Sequence, residues 1–183
     1  SLGVYSSYVD GIGINGGSSV IAAAQSFYVR SNAENPAVEL TENCKTEATN
    51  VFLKSHATIA PLVISIENEF GKDEAVVRIN EHATANFDAD YDAEKMLSFA
   101  YGGPAVYTSM DHVSEMYSIN QFELGELEIP LTVMTMTSGM HTLSFSDIQS
   151  FENASCLLLE DLHTGLTHDL KVTTQINVFV SDT

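Results

Sequence analysis

The sequence predicts an all-β fold: an antiparallel β-sandwich or a jelly-roll-like arrangement with one short helix. Short apolar segments recur at spacings of roughly 8–12 residues and are separated by Gly, Asn, Asp and Ser. Leu62, Ile64 and Ile66 alternate with more polar residues, as expected of a strand with one buried face. The stretch Cys156–Lys171 has the pattern of a β-hairpin.

The first part of the chain, residues 1–48, is predicted to be an N-terminal strand and loop segment that is incomplete. It is predicted to precede a β-sandwich domain at residues 49–183. Val4–Asp10 is expected to be an exposed strand, and Val20–Arg30 a core strand. The first six residues of Gly11–Gly17, GIGINGG, match the dinucleotide-binding pattern G-x-G-x-x-G. Because no βαβ pattern surrounds it, a glycine-rich turn is the predicted structure.

Further strands are predicted along the chain at Val51–Leu53, Pro61–Phe70 and Glu74–Asn80, the last two forming a hairpin. The later strands are predicted at Ala105–Ser109, Glu115–Asn120, Ile129–Thr137, Met140–Ser146 and Gln175–Val180.

Asn86–Leu97 is the segment with helical character, and three aspartates alternate at its start: Asp88, Asp90 and Asp92. Alternating carboxylates open many Ca²⁺ loops, so a calcium site is one interpretation. The glycine and glutamate of an EF-hand are missing, since Ala93 and Phe99 occupy their positions. The alternative is a structural turn leading into a helix, with carboxylates capping backbone amides.

In the hairpin, Leu157 and Leu159 should face one side, Leu158 and Glu160 the other, with the turn at His163–Gly165. Glycine suits the left-handed position of such a loop. Glu160 and Asp161 are interpreted as residues that cap or brace this turn.

The net charge of −18, from 7 Lys and Arg against 25 Asp and Glu, is unfavourable for nucleic acid and for anionic membrane surfaces. No apolar run is long enough for a membrane span. The scarcity of lysine and the Ser, Thr, Asn and Gly in the loops favour an exported chain.

Cys44 and Cys156 are the two cysteines. A disulfide between them is predicted, which would stabilise the fold by about 4–5 kcal/mol because it closes a long loop. Two unpaired thiols are the alternative.

No established catalytic motif is found, and the six histidines are scattered. His163 and His168 could approach across the hairpin turn, but a metal site there would lack a third ligand. The sequence therefore predicts no catalytic residues and no certain cofactor, with calcium the one candidate.

Three stretches together resemble secreted and surface proteins of Bacteroidota, in the β-sandwich region preceding a type IX secretion sorting domain. They are Gly11–Arg30, Glu74–Met96 and Cys156–Leu170, in that order, and the resemblance extends from about Tyr8 to Val180. The resemblance implies export and a location at the cell surface or in the medium. It implies no single activity, because such regions accompany adhesins and polysaccharide-degrading enzymes alike.

Two segments of those proteins have no counterpart here, a strand after Gln175–Val180 and a Trp-containing segment before Val4, so the chain is expected to be trimmed. One hypothesis is that a strand from another copy fills an open edge, as in donor-strand polymers.

The predicted function is a non-enzymatic structural or adhesive module, with further copies of the same chain, surface glycans or surface proteins as partners. A carbohydrate-binding accessory module of a secreted glycanase is the alternative; the absence of Trp counts against it.

Overall fold

The computed structural model describes residues 4–31, 34–47, 60–98, 102–110, 115–125 and 128–181. Within these ranges every regular element is a β-strand or a short 3-10 helix, and none is an α-helix. The predicted all-β class is therefore confirmed.

The strands are short, as the spacing of the apolar segments predicts. In chain order they are β1 (Ser7–Val9), β2 (Ile12–Ile14), β3 (Leu62–Asn68), β4 (Gly71–Ile79), β5 (Ala93–Glu94), β6 (Ala105–Thr108), β7 (Tyr117–Phe122), β8 (Leu131–Met134), β9 (Gly139–Ser146), β10 (Leu158–Asp161), β11 (Leu166–Asp169) and β12 (Gln175–Val180). The 3-10 helices span Glu42–Cys44 and Ile148–Phe151.

Eight of these strands form one curled sheet in the order β12-β9-β3-β4-β7-β6-β8, with β5 also paired to β7. Neighbours are antiparallel except β4 and β7, which run parallel from Val76 opposite Ile119 to Ile79 opposite Phe122. Two separate hairpins, β1–β2 and β10–β11, complete the described strands.

The main core lies on one face of the curled sheet and includes side chains from β3, β4, β6, β7 and β9. Leu62, Ile64 and Ile66 of β3 are buried there, as their alternation predicts. They share one cluster with the buried side chains of Val106, Tyr117, Phe122, Leu143 and Phe145. The hairpin β10–β11 contributes Leu157 and Leu159 to this cluster while Leu158 is exposed, so the predicted orientation of the hairpin is confirmed.

A smaller cluster covers the opposite face of the sheet. Ile12 and Ile14 of β2 pack there against Val76 of β4 and Ile119 of β7. Ala75 and Val77 thus belong to the main core and Val76 to the smaller cluster, because the sheet is covered on both faces at this point. The predicted domain boundary near residue 48 stays a prediction.

Two expectations for the N-terminal segment are corrected. The predicted turn Gly11–Gly17 contains β2, and the tight turn joining β1 to β2 is Asp10–Gly11, where both residues have positive φ. This is the geometry that two-residue hairpin loops prefer. Val20–Arg30 is not a core strand but an exposed irregular stretch, because none of its residues enters a strand ladder.

The predicted helix over Asn86–Leu97 is also wrong. Turns occupy its first half, and Ala93–Glu94 pairs as β5 with β7. Asp88 and Asp92 accept hydrogen bonds from nearby backbone amides, which closes turns instead of starting a helix. The predicted strand Val51–Leu53 lies outside the described residues.

Candidate functional site

The aspartates predicted to bind calcium form a turn that is attached to β7. The Asp88 carboxylate accepts from the amide of Asp90 at 3.1 Å, and Asp92 accepts from the amides of Asp88 and Gln121, both at 2.8 Å. Among the described residues no group of three or more His, Cys, Asp or Glu is placed to hold a metal ion. The carboxylates of Asp88 and Asp92 are thus observed as acceptors for backbone amides, and calcium binding by Asp88, Asp90 and Asp92 stays a prediction.

Asp92 is the buried member of this turn. Burial raises its pKa to about 6, although the amides of Gln121 and Asp88 act in the opposite direction by favouring the carboxylate. Gln121 completes the attachment, since its side-chain amide donates to the carbonyl of Tyr91 at 2.6 Å. Asp92 thus attaches the turn at Asp88–Asp92 to β7, although desolvation of its carboxylate is unfavourable.

Cys44 and Cys156 are both free and exposed. Hydrogen bonds with Thr41 lower the pKa of the Cys44 thiol. The disulfide stays a prediction.

The predicted bracing of the hairpin turn is confirmed for Asp161. Its carboxylate accepts from the Thr164 hydroxyl at 2.7 Å and from the amide of His163 at 2.9 Å. These bonds lower the pKa of Asp161, the Thr164 hydroxyl having the largest effect. Gly165 occupies the predicted left-handed position, with a φ of 71°.

A buried ion pair, absent from the sequence-based predictions, lies between β4 and the residue following β5. Lys95 Nζ lies 2.6 Å from Asp73 Oδ1 and 2.5 Å from Oδ2, and the two side chains are 4% and 3% exposed. Asn15 Nδ2 donates to Oδ1 at 2.9 Å, and the amide of Val106 donates to Oδ2 at 2.8 Å. This polar centre (Asn15, Asp73, Lys95 and Val106) joins the N-terminal hairpin, β4, β5 and β6.

Two effects oppose each other at Lys95. Burial lowers its pKa, and the Asp73 carboxylate partly compensates by favouring the ammonium. The sequence carries a signal for this centre: Asp73 falls on the same alternate positions of β4 as the buried Ala75 and Val77. A charged residue at an inward-facing strand position needs a buried partner.

A cleft of about 180 Å³ lies between the β3–β4 turn and the start of β9. Its floor is the buried His141, whose Nδ1 lies 3.0 Å from the carbonyl oxygen of Gly139. Since a carbonyl only accepts, Nδ1 donates and Nε2 accepts from Asn68 Nδ2 at 3.2 Å. Both ring nitrogens are thus used structurally, while Phe70 and Met140 line the cleft with partly exposed side chains.

The cleft adjoins the outer edge of the sheet, formed by β12. Among the described strands, β12 pairs only with β9. Met140 and Phe179 are directly opposite each other in this ladder and are 61% and 67% exposed. We call Met140, Phe179 and the cleft-lining Phe70 the edge patch.

The backbone of β12 presents polar groups to this open side. Phe145 N–H donates to Thr174 O at 2.9 Å, which makes that pair a hydrogen-bonded one. Because bonding alternates along an antiparallel ladder, Gln175, Asn177 and Phe179 direct their N–H and C=O groups away from β9. The edge therefore offers main-chain donors and acceptors next to an apolar patch.

Neither β9 nor β12 contains Asp, Glu, Lys, Arg or Pro. Natural sheet edges are usually protected by charges, prolines or bulges. Within the part of the chain that the structure describes, this edge has none of those protections, although the whole sequence carries a net charge of −18.

No family model, curated protein or solved structure matches this chain. None of the helices in the described ranges has the length and apolar character to cross a membrane.

Proposed function

We propose that this chain is a non-enzymatic structural or adhesive module of an extracellular cell-surface protein, and that it assembles with further copies through β12. The observation that carries the proposal is the unprotected edge. The sequence resemblance to type IX-secreted Bacteroidota proteins supports the surface location.

The contact is proposed to combine strand pairing with apolar burial. An added strand would bond the outward groups of Gln175, Asn177 and Phe179 and cover the edge patch, as in β-strand addition. A second copy fits this edge because an uncharged strip is where two strongly acidic chains can approach with the least repulsion.

The buried polar side chains support a structural role. Asp73, Asp92 and His141 are each engaged by hydrogen bonds that connect one strand or loop to another. In this proposal the polar interior maintains the shape of the module and the edge makes the contacts.

Light scattering of the purified chain over a range of concentrations and salt tests this proposal. We expect concentration-dependent association that strengthens with salt, because salt screens the repulsion between acidic copies. Asn177→Pro should abolish it, since proline removes an outward N–H without removing a bond to β9. Asn177→Ala, which keeps the N–H, is the matched control.

A wild-type chain that stays monomeric at the highest concentration would exclude self-assembly through β12. Equal association of the Pro and Ala variants would place the contact elsewhere. Turnover of a glycan or ester by the purified chain would contradict the non-enzymatic role.

A carbohydrate-binding accessory module is the second candidate, and Phe70 is the observation in its favour. Its ring is 45% exposed at a cleft that also contains Asn68 and Thr137, so an aromatic face and polar groups lie together. Glycan-array binding that is lost in Phe70→Ala but kept in Asn177→Pro would favour this candidate over assembly.

A further inference from the structure

The Asp73–Lys95 pair is closer than an ordinary ion pair. Charge-assisted N–H···O bonds are usually about 2.7–2.9 Å long, whereas Lys95 Nζ lies 2.6 Å and 2.5 Å from the two oxygens of Asp73. A nitrogen at these distances from both oxygens lies no more than about 3 Å from the carboxyl carbon, so the two atoms that would form a bond are in contact.

The surroundings of the pair favour the neutral amine of Lys95. Both side chains are almost fully buried, and burial lowers the pKa of Lys95. Transfer of one proton from the ammonium to the carboxylate gives an amine and a carboxylic acid, which are the reactive forms of both groups.

Two donors are aimed at the carboxyl oxygens. The amide of Val106 donates to Oδ2 at 2.8 Å and Asn15 Nδ2 donates to Oδ1 at 2.9 Å. Donors held in this way stabilise the negative charge that develops on oxygen when a nucleophile adds to the carbon. Lys95 Nζ is itself oriented by the carbonyl of Glu74, 3.1 Å away.

We propose that Asp73 and Lys95 condense to form an intramolecular amide that cross-links β4 to the segment following β5. The Nζ lone pair forms the new N–C bond, and the bond from Cγ to one carboxyl oxygen breaks. The ammonium supplies both protons that leave with this oxygen as water. No oxidant, reductant or further reactant is required.

The cross-link is independent of the proposed function. It would join residues 22 positions apart, as the separation of the hydrogen-bonded pair shows. Like a disulfide, it would restrict the unfolded chain, but reductants would not cleave it.

Intact mass spectrometry of the folded, then denatured, wild-type chain tests the proposal. The expected mass is lower than that of the sequence by one water, and digestion should yield a branched peptide joining Asp73 to Lys95. Asp73→Asn gives a sharper test, because asparagine would lose ammonia on condensation and produce the same final mass as the wild type.

Lys95→Arg is the matched control, because it keeps the cation but should have the full, uncondensed mass. Asp10–Gly11 can also lose water by forming a cyclic imide, but that loss would persist in Lys95→Arg and would give no branched peptide. A wild-type chain of uncondensed mass, or one whose water loss maps to Asp10–Gly11, would overturn the proposal and leave Asp73 and Lys95 as an ion pair.

Discussion

The polar centre and the edge patch differ in which side chains they bury and which they expose. The polar centre buries two charged side chains within the fold, whereas the edge patch exposes Met140 and Phe179 to solvent. Buried charges are costly unless they are paired, and exposed apolar groups forfeit the stabilisation of burial. From this comparison we expect the centre to contribute more to stability and the edge patch to contribute to the proposed association. Mutations in the two regions should therefore have separable effects.

Removing one partner of the buried pair should have the largest effect on stability. Lys95→Met leaves the Asp73 carboxylate buried without its cation, so we expect a loss of about 3–5 kcal/mol in the free energy of unfolding. Urea denaturation measures this loss. The double variant Asp73→Leu/Lys95→Met should recover part of it, and a double variant as unstable as the single one would show that the charges are not the cause.

The N-terminal hairpin carries Asn15 to the polar centre, and its close packing can be broken at Gly17. A Cβ at Gly17 would lie 2.1 Å from the carbonyl oxygen of Ser7. Gly17→Ala should therefore cost about 1–3 kcal/mol and increase proteolysis of the hairpin. Gly125→Ala is the control, because a Cβ there meets no atom within 4 Å. Equal stability of the two variants would mean that the hairpin contributes little.

A third prediction concerns the buried charge of Asp92. Its pKa is about 6 in the folded chain and about 3.9 in an unfolded one. Between these values the folded state holds a proton that the unfolded state has lost, so stability should fall as pH rises. We expect a decrease of roughly 1–2 kcal/mol from pH 4 to pH 6. Thermal denaturation should show this decrease in the wild type and a flatter profile in Asp92→Asn, and identical profiles would contradict the assignment.

The smallest effect on stability is expected at the edge patch. Phe179→Ser should change the free energy of unfolding by less than about 0.5 kcal/mol, because the side chain is mostly exposed. It should nevertheless weaken association of the chain in light scattering. Leu124→Ser, at a side chain of the same 67% exposure outside the edge patch, is the control and should leave association unchanged. A large loss of stability in Phe179→Ser would show that the two regions are not separable.

Local patterns predicted the antiparallel parts of the fold. The alternation in β3, the strand at Met140–Ser146 and the hairpin β10–β11 depend on neighbours in sequence, and all three are observed. The parallel pairing of β4 with β7 was not predicted, because its partners lie about forty residues apart and no local pattern specifies them.

The polar centre was missed for a related reason. Asp73 at an inward position was a detectable signal, but its partner Lys95 lies in a segment whose Ala, Glu, Met and Leu content suggested a helix. Pairing of Ala93–Glu94 with β7 overrides that propensity. In Val20–Arg30 the opposite happened. Its apolar composition suggested a strand, but no neighbouring strand pairs with it and no strand is observed.

The parallel β4–β7 pairing also has a kinetic consequence. The hairpins β3–β4 and β10–β11 close over short turns, whereas pairing of β4 with β7 closes a loop of about forty residues. We therefore expect this step to limit the folding rate. Lys95 lies within that loop and hydrogen-bonds to Met116 just before β7. An amide between Asp73 and Lys95 would then form only in molecules in which β4 had paired with β7. Because the amide is covalent, it would remain in those chains even after they unfolded.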